Sequence, residues 1–159
     1  MPKNVVTVDG NDLVISRHLD APPDRIWRAW VEPDQLRQWF APKPVEVLRA
    51  ALEPRPGGIC DIAMRMPDGT EIDQGPGCVL LAEPNHKLIW TDALGPEFRP
   101  TGTGFITVIV LMDPEEGGGT RYSARVLHKD EADRRKHEEM GFAEGWGQCL
   151  DQLAALVEG

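Results

Sequence analysis

Apolar and polar residues alternate along most of the chain between residues 45 and 128. A spacing of two is typical of strands that bury one face of a sheet. Gly, Pro, Asp and Asn, which favour turns, interrupt the pattern several times. We therefore predict six strands, near residues 45–52, 58–66, 71–82, 87–92, 103–112 and 120–128, and one earlier strand near residues 13–19.

The loops between these strands are short, which favours an antiparallel meander. In the hairpin that a Pro-Asp-Gly turn at residues 67–69 would close, Cys60 lies opposite Gly77 and Ile59 lies opposite Cys78. Because side chains alternate between the faces of a sheet, Cys60 and Cys78 would be neighbours on opposite faces.

Helical spacing follows the first strand. Pro22 and Pro23 can start a helix that ends at Pro33, and Asp34 can cap a second short helix that ends before Pro42. We expect the aromatic residues of these helices to plug one end of the sheet, with the rim of a pocket as the alternative. They are Trp27, Trp30, Trp39 and Phe40.

The most regular segment predicts a long C-terminal helix from about Asp130 to Val157. Its first turns, residues 131–139, are charged, and we expect them to project into water. Glycines in a helix interior cost about 0.5–1 kcal/mol each, which close approach to a strand or room for a ligand would offset. These glycines are Gly141, Gly145 and Gly147, and the apolar face contains Phe142, Trp146, Cys149, Leu150, Leu153, Leu156 and Val157.

This order of elements predicts one α+β domain that spans residues 1–159, a size suited to a single core. An antiparallel sheet of six or seven strands has one face to bury, and the C-terminal helix is the element long enough to cover it. We expect a curved sheet that wraps around that helix and leaves an apolar pocket between them.

Composition narrows the range of partners. The formal charge is −9, from 26 acidic and 17 basic residues, and it disfavours nucleic acid and anionic membrane surfaces. No stretch approaches the ~20 apolar residues of a membrane span, and the first residues do not resemble a secretory signal, so we expect a cytoplasmic protein. The three cysteines, Cys149 included, show no metal-ligand spacing. We expect reduced, buried thiols, no metal and no cofactor.

Several stretches, distributed over nearly the whole chain, together resemble a known family. It is the family named after the activator of the heat-shock protein 90 ATPase, a branch of the START/Bet v 1-like superfamily. The stretches are LDAPPDRIWRAW at 19–30, PDQLRQWF at 33–40, PGG at 56–58, MRMPDG at 64–69, GCVLLAEP at 77–84, LIWT at 88–91, GTRY at 119–122, and Gly145-Trp146 with Leu150 and Leu153.

The resemblance implies a helix-grip fold with a cavity between the sheet and the C-terminal helix. It implies three kinds of function, because members of the superfamily bind lipids, hormones or polyketides, a few catalyse cyclisation or dehydration, and one branch assists a chaperone. It implies no catalytic residue for this chain.

Alternation predicts which side chains face the pocket. From Cys60 onward it places Met64 and Met66 on the inner face of the sheet and Asp61 and Arg65 on the solvent side. Flexible methionines suit a pocket that adapts to varied ligands, although they also fill irregular cores. Core packing is the alternative interpretation for every pocket candidate.

Tyr122 and His128 face inward from the last strand and could supply the few polar groups that orient a ligand. His128 could act as a general base only beside a carboxylate. His18 and His86 are assigned to strand edges or turns, and His137 to the charged end of the helix. The complete set of pocket candidates is Met64, Met66, Trp90, Tyr122, His128, Phe142 and Trp146.

Three functions remain open. The first is a binding protein for a hydrophobic or aromatic small molecule or lipid, which the absence of a nucleophile or phosphate-binding motif favours. The second is a polyketide cyclase or dehydratase that uses Tyr122 and His128 with Glu53 or Asp61. The third is a chaperone-associated interaction domain. A homodimer could form through an exposed edge such as the first strand.

Overall fold

The structure is a computed structural model that describes residues 3–73 and 75–159. It contains one nine-stranded sheet, a separate two-stranded ribbon and four helices within those residues. The strands are β1 Val5–Asp9, β2 Asp12–Leu19, β3 Glu46–Leu52, β4 Ile59–Arg65, β5 Glu71–Ile72, β6 Gly77–Glu83, β7 Lys87–Thr91, β8 Leu94–Gly95, β9 Arg99–Pro100, β10 Thr107–Pro114 and β11 Thr120–Leu127. The helices are α1 Pro23–Val31, α2 Pro33–Trp39, α3 Glu131–Glu139 and α4 Phe142–Glu158, and a 3-10 turn spans Pro96–Phe98.

The predicted α+β fold with an antiparallel sheet is confirmed. The strand order is β1-β2-β11-β10-β7-β6-β4-β3, with β5 paired to β4. The predicted register is also confirmed, since Cys60 pairs with Gly77 and Ile59 with Cys78. Residues that face each other in a pair lie on the same face of a sheet, so the two cysteines point to opposite faces.

Strand β1 was not predicted, and its presence corrects the assignment of the sheet edge. Val5–Asp9 pairs with β2 through a tight turn in which Gly10 takes φ 61°. The predicted first strand, residues 13–19, is therefore an inner strand between β1 and β11 and offers no free edge for a dimer. The outermost strands of the sheet are β1 and β3, and β5 lies beside β4 as a short edge strand.

Two other strands are shorter than predicted. The segment predicted as one strand at 71–82 divides into β5 and β6, with Gly75 at φ 82° followed by Pro76 between them. The strand predicted from residue 103 begins at Thr107, because Oδ1 of Asp92 accepts the backbone N–H groups of Phe105 and Ile106 and holds them in a loop.

The single C-terminal helix was a wrong prediction. Gly141 takes φ 93° and ψ 38°, a left-handed conformation that glycine adopts without a steric penalty and that separates α3 from α4. The expectation that residues 131–139 project into water is wrong in part, because α3 turns back against the protein. His137 is 8% exposed, and the Arg134 side chain is 13% exposed.

Helix α4 packs across one face of the sheet, against β2, α1 and α2. The large buried side chains of α4 are Phe142, Leu150, Leu153 and Val157, and each side chain of this size contributes about 1.5–3 kcal/mol to stability. Helices α1 and α2 close one end of the sheet with Trp27, Trp30, Leu36 and Trp39. Among the described helices, none is both long enough and apolar enough to cross a bilayer.

Candidate functional site

A cavity of about 390 Å³ lies between α4 and the sheet. This volume is within the range of roughly 300–1,000 Å³ that small-molecule sites occupy. Most of its wall is apolar or aromatic. The main wall residues are Ile15, Trp30, Trp39, Phe40, Cys60, Ile62, Met64, Trp90, Phe105, Ile106, Tyr122, Ala124, His137, Phe142, Trp146, Cys149 and Leu150.

Two aromatic groups form much of this wall. On the side of α1 and α2, the ring of Trp30 lies 4.9 Å from that of Trp39 and 6.3 Å from that of Trp90. On α4, Phe142 and Trp146 are stacked with their ring centroids 5.2 Å apart. Aromatic pairs at such distances attract one another, so these two groups stabilise the wall of the cavity.

The indole N–H of Trp90 is the least satisfied polar group of the wall. Trp90 is 7% exposed, and its Nε1 has no hydrogen-bond partner among the described residues. The other two wall tryptophans with buried indole nitrogens donate to Tyr122 and to the carbonyl of Ala29. An unpaired buried donor costs about 1–3 kcal/mol, and this one is enclosed by the protein itself.

Tyr122 lies at the floor of the cavity. Its hydroxyl oxygen accepts a hydrogen bond of 3.1 Å from Nε1 of Trp30. Burial raises the pKa of Tyr122 well above its ordinary value, so the phenol keeps its proton. Tyr122 is therefore a donor and acceptor in the cavity wall, and not a base at neutral pH.

A histidine pair lies beside the cavity, with His137 in the cavity wall. Nδ1 of His128 is 2.8 Å from the carbonyl oxygen of Asn11, and Nε2 of His128 is 2.9 Å from Nδ1 of His137. The His137 ring lies between those of Phe105 and Phe142, at 5.0 and 5.1 Å. Burial and the neighbouring His128 lower the pKa of His137 to about 4.

A polar groove marks the mouth of the cavity. It shares Gly75, Asp92, Phe105 and Met140 with the cavity wall, and adds lysines and other polar residues outside. Lys136 lies 5.8 Å from the centre of the Phe105 ring. The mouth therefore lies beside α3, at the break that Gly141 introduces.

The sequence profile of the family described as "Activator of Hsp90 ATPase homolog 1-like protein" matches residues 20–158. The chain belongs to this family. No curated protein matches the chain.

Solved structures of similar proteins agree with this assignment. A protein from Nitrosomonas europaea is 37% identical, with a TM-score of 0.89 over 95% of this chain and 97% of the other. A protein from Mycobacterium smegmatis is 26% identical, with a TM-score of 0.78 over 97% and 96%. A protein from Rhodobacter sphaeroides, at 24% identity and a TM-score of 0.83 over 98% of each chain, shares the fold.

In this member of the Hsp90-activator-like family, the structure brings five of the seven pocket candidates to the cavity wall. They are Met64, Trp90, Tyr122, Phe142 and Trp146. Met66 is outside the wall because it follows the end of β4, where its N–H closes the turn to Thr70. His128 is also outside the wall, since His137 separates it from the cavity.

His137 was missed by sequence reasoning. It precedes Phe142 by five residues, so in an uninterrupted helix it would point away from the apolar stripe. The break at Gly141 changes the direction of α3 and turns His137 toward the cavity. The one available signal was Gly141 itself, placed between a charged segment and an apolar one.

The carboxylates considered for catalysis lie elsewhere. Asp61 forms an ion pair of 2.7 Å with Arg49, and Glu53 is exposed and accepts the backbone N–H of Ile59. Asp92 reaches the mouth of the cavity, but its Oδ1 is occupied by two backbone N–H groups. Among the described residues, the cavity wall therefore contains one histidine, His137, and no hydrogen bond joins it to a carboxylate.

Proposed function

We propose that this protein binds an apolar or aromatic small molecule in the cavity between α4 and the sheet. The observation that carries the proposal is the cavity of about 390 Å³ with its mostly apolar and aromatic wall. Such a wall excludes water from an apolar ligand, and a few polar groups suffice to orient it. The ligand class that fits is an aromatic or other apolar ring system.

The other two functions have less support. A cyclase or dehydratase needs a second titratable group beside the base, and Glu53 and Asp61 lie outside the cavity wall. An interaction domain would be expected to have a filled core and an apolar surface patch. The cavity of about 390 Å³ favours binding over either alternative.

Native mass spectrometry of the purified protein, combined with thermal unfolding in a panel of aromatic and aliphatic compounds, tests the proposal. We expect a retained ligand or an increase in Tm with aromatic compounds. Met64→Ala should weaken this stabilisation, because Met64 lines the cavity. Met66→Ala is the matched control, since Met66 follows on the same hairpin and lies outside the wall.

Trp90→Phe keeps an aromatic ring in the wall and removes the enclosed N–H. We expect it to retain binding of aromatic compounds, whether or not they carry an acceptor. Absence of any bound compound and of any thermal shift across the panel would refute the proposed function. Equal effects of Met64→Ala and Met66→Ala would place the ligand elsewhere.

A further inference from the structure

The histidine pair fixes which ring nitrogen of His137 carries a proton. The carbonyl oxygen of Asn11 can only accept, so Nδ1 of His128 donates to it across 2.8 Å. When both rings are neutral, Nε2 of His128 is therefore unprotonated. Nδ1 of His137, 2.9 Å away, must then be the donor of the second bond.

It follows that Nε2 of a neutral His137 is an unprotonated acceptor. Nδ1 of His137 is used by His128, so Nε2 is the ring nitrogen left to serve the cavity that His137 lines. Among the described residues no donor reaches this nitrogen. The Asn11 carbonyl, through His128, thus sets the tautomer of a group in the cavity wall.

The groups around His137 keep the ring neutral. Phe105 and Phe142 cover it and limit its contact with water, which disfavours the charged form of the ring. The charged groups nearby are Lys136 over the Phe105 ring and Asp92, whose Oδ1 accepts two backbone N–H groups. With its pKa lowered to about 4, His137 is a neutral acceptor at pH 7.

His137 is a weak base. Transfer of a proton from a phenol with a pKa of ~10 to a group with a pKa of about 4 is unfavourable by roughly a millionfold. A hydrogen bond from the phenol to Nε2 requires no such transfer. The arrangement therefore serves recognition rather than proton abstraction.

We propose that Nε2 of His137 accepts a hydrogen bond from the ligand, and that the ligand is an aromatic compound with a neutral hydroxyl group. This inference rests on the proposed function and narrows its ligand class. His137 supplies an acceptor, so the preferred compound carries a phenolic or enolic hydroxyl. His128 is a positioning residue, because it acts on the ligand only through His137.

Calorimetric titration with two probes of nearly equal shape tests the inference. 2-Naphthol carries a donor, whereas 2-methoxynaphthalene has the same rings and oxygen without one. We expect the unchanged protein to bind 2-naphthol about five- to tenfold more tightly, the effect of one net hydrogen bond. His137→Phe should reduce the ratio of the two affinities to about one. His86→Gln, at an exposed turn, should leave this affinity ratio unchanged.

The positioning role of His128 has its own pair of variants. His128→Phe removes the acceptor for Nδ1–H of His137, so the ratio should fall although His137 is present. His128→Gln offers a side-chain carbonyl in that place and should restore most of the ratio. If His128 had only a structural role, the two variants would show the same affinity ratio whenever their Tm values were equal.

Nitrogen-15 NMR of the histidine rings tests the tautomer in the unchanged protein. We expect Nδ1 of His137 to be protonated and Nε2 unprotonated, and the Nε2 resonance to move when 2-naphthol is added. A protonated Nε2 in the free protein would overturn the inference. Equal affinity for the two naphthalenes would also overturn it while leaving the proposed function intact, and failure of every compound to bind would overturn both.

Discussion

The indole N–H of Trp30 donates a hydrogen bond of 3.1 Å to the hydroxyl oxygen of Tyr122, a residue 92 positions further along the chain. The bond is buried and joins α1 to β11 across one end of the cavity. It fixes the position of both side chains in the cavity wall. The same contact leaves the Tyr122 proton free to donate.

Loss of the Tyr122 hydroxyl should destabilise the protein. Tyr122→Phe leaves the buried Trp30 N–H without a partner, and we expect the free energy of unfolding to fall by about 1–3 kcal/mol. Urea denaturation measures the change. The double variant Trp30→Phe/Tyr122→Phe should lose less free energy of unfolding than the two single variants lose together. The reason is that Trp30→Phe removes the donor that Tyr122→Phe leaves unpaired. Simple additivity would show that the bond contributes nothing.

Gly145 offers a test of why α4 contains glycines. A methyl group at this position would meet no atom within 4 Å, and Gly145 lines the cavity. Gly145→Ala should stabilise the protein by about 0.5–1 kcal/mol, because alanine favours the helix, and should weaken binding of a bulky aromatic ligand. Thermal unfolding and calorimetric titration measure the two effects. A gain in stability without any change in affinity would mean that this glycine does not make room for a ligand.

Gly77 is the opposite case. A Cβ at Gly77 would lie 2.5 Å from the carbonyl oxygen of Thr91, a backbone atom in the neighbouring strand. Gly77→Ala should therefore destabilise the protein by about 1–3 kcal/mol, the usual cost of overpacking. Gly69→Ser provides a control in the same hairpin region, since its Cβ would meet nothing within 4 Å and the strain would come from its positive φ alone. A larger loss of stability in Gly69→Ser than in Gly77→Ala would contradict the steric argument.

The lowered pKa of His137 predicts how stability depends on pH. Between pH 6.5 and about 4 the unfolded chain binds a proton at this residue that the folded chain does not, so stability should fall as the pH decreases through this window. Allowing for water in the cavity, the effect is about 1–2 kcal/mol. Denaturation at a series of pH values should show a shallower slope for His137→Phe than for the unchanged protein.

His18 should behave in the opposite direction. Hydrogen bonds to Glu115 and Asp20 raise the pKa of this exposed residue, so its contribution is present below pH 6.5 and is lost as the pH rises through the folded value. His18→Gln should therefore reduce stability only on the acidic side. Identical pH profiles for the His18 and His137 variants would show that neither ring accounts for the pH dependence.

The sheet could be predicted because its determinants are local. Alternation of apolar residues sets the strands, and the Pro-Asp-Gly turn sets the register that places Cys60 opposite Gly77. The same alternation placed Met64 toward the interior, where it lines the cavity. Strand β1 was missed because its valines, exposed on both faces, lack the periodicity of a half-buried strand.

The polar part of the site depends on one backbone angle. A glycine within a helical pattern is compatible with either a continuous helix or a break, and the sequence does not distinguish the two. At Gly141 the left-handed conformation decides that His137 reaches the cavity and His128 stands behind it. The unpaired N–H of Trp90 likewise depends on distant elements that alternation does not describe.

The pairing of β2 with β11 has a consequence for biosynthesis. Ile15 and Ala124, which both line the cavity, are partners in this pair although they are about a hundred residues apart. At ~5–20 residues per second, a ribosome leaves β2 without its inner neighbour for roughly 5–20 s. During that interval Leu13, Ile15 and Leu19 are uncovered in the nascent chain, and the cavity acquires its last wall only when translation is nearly finished.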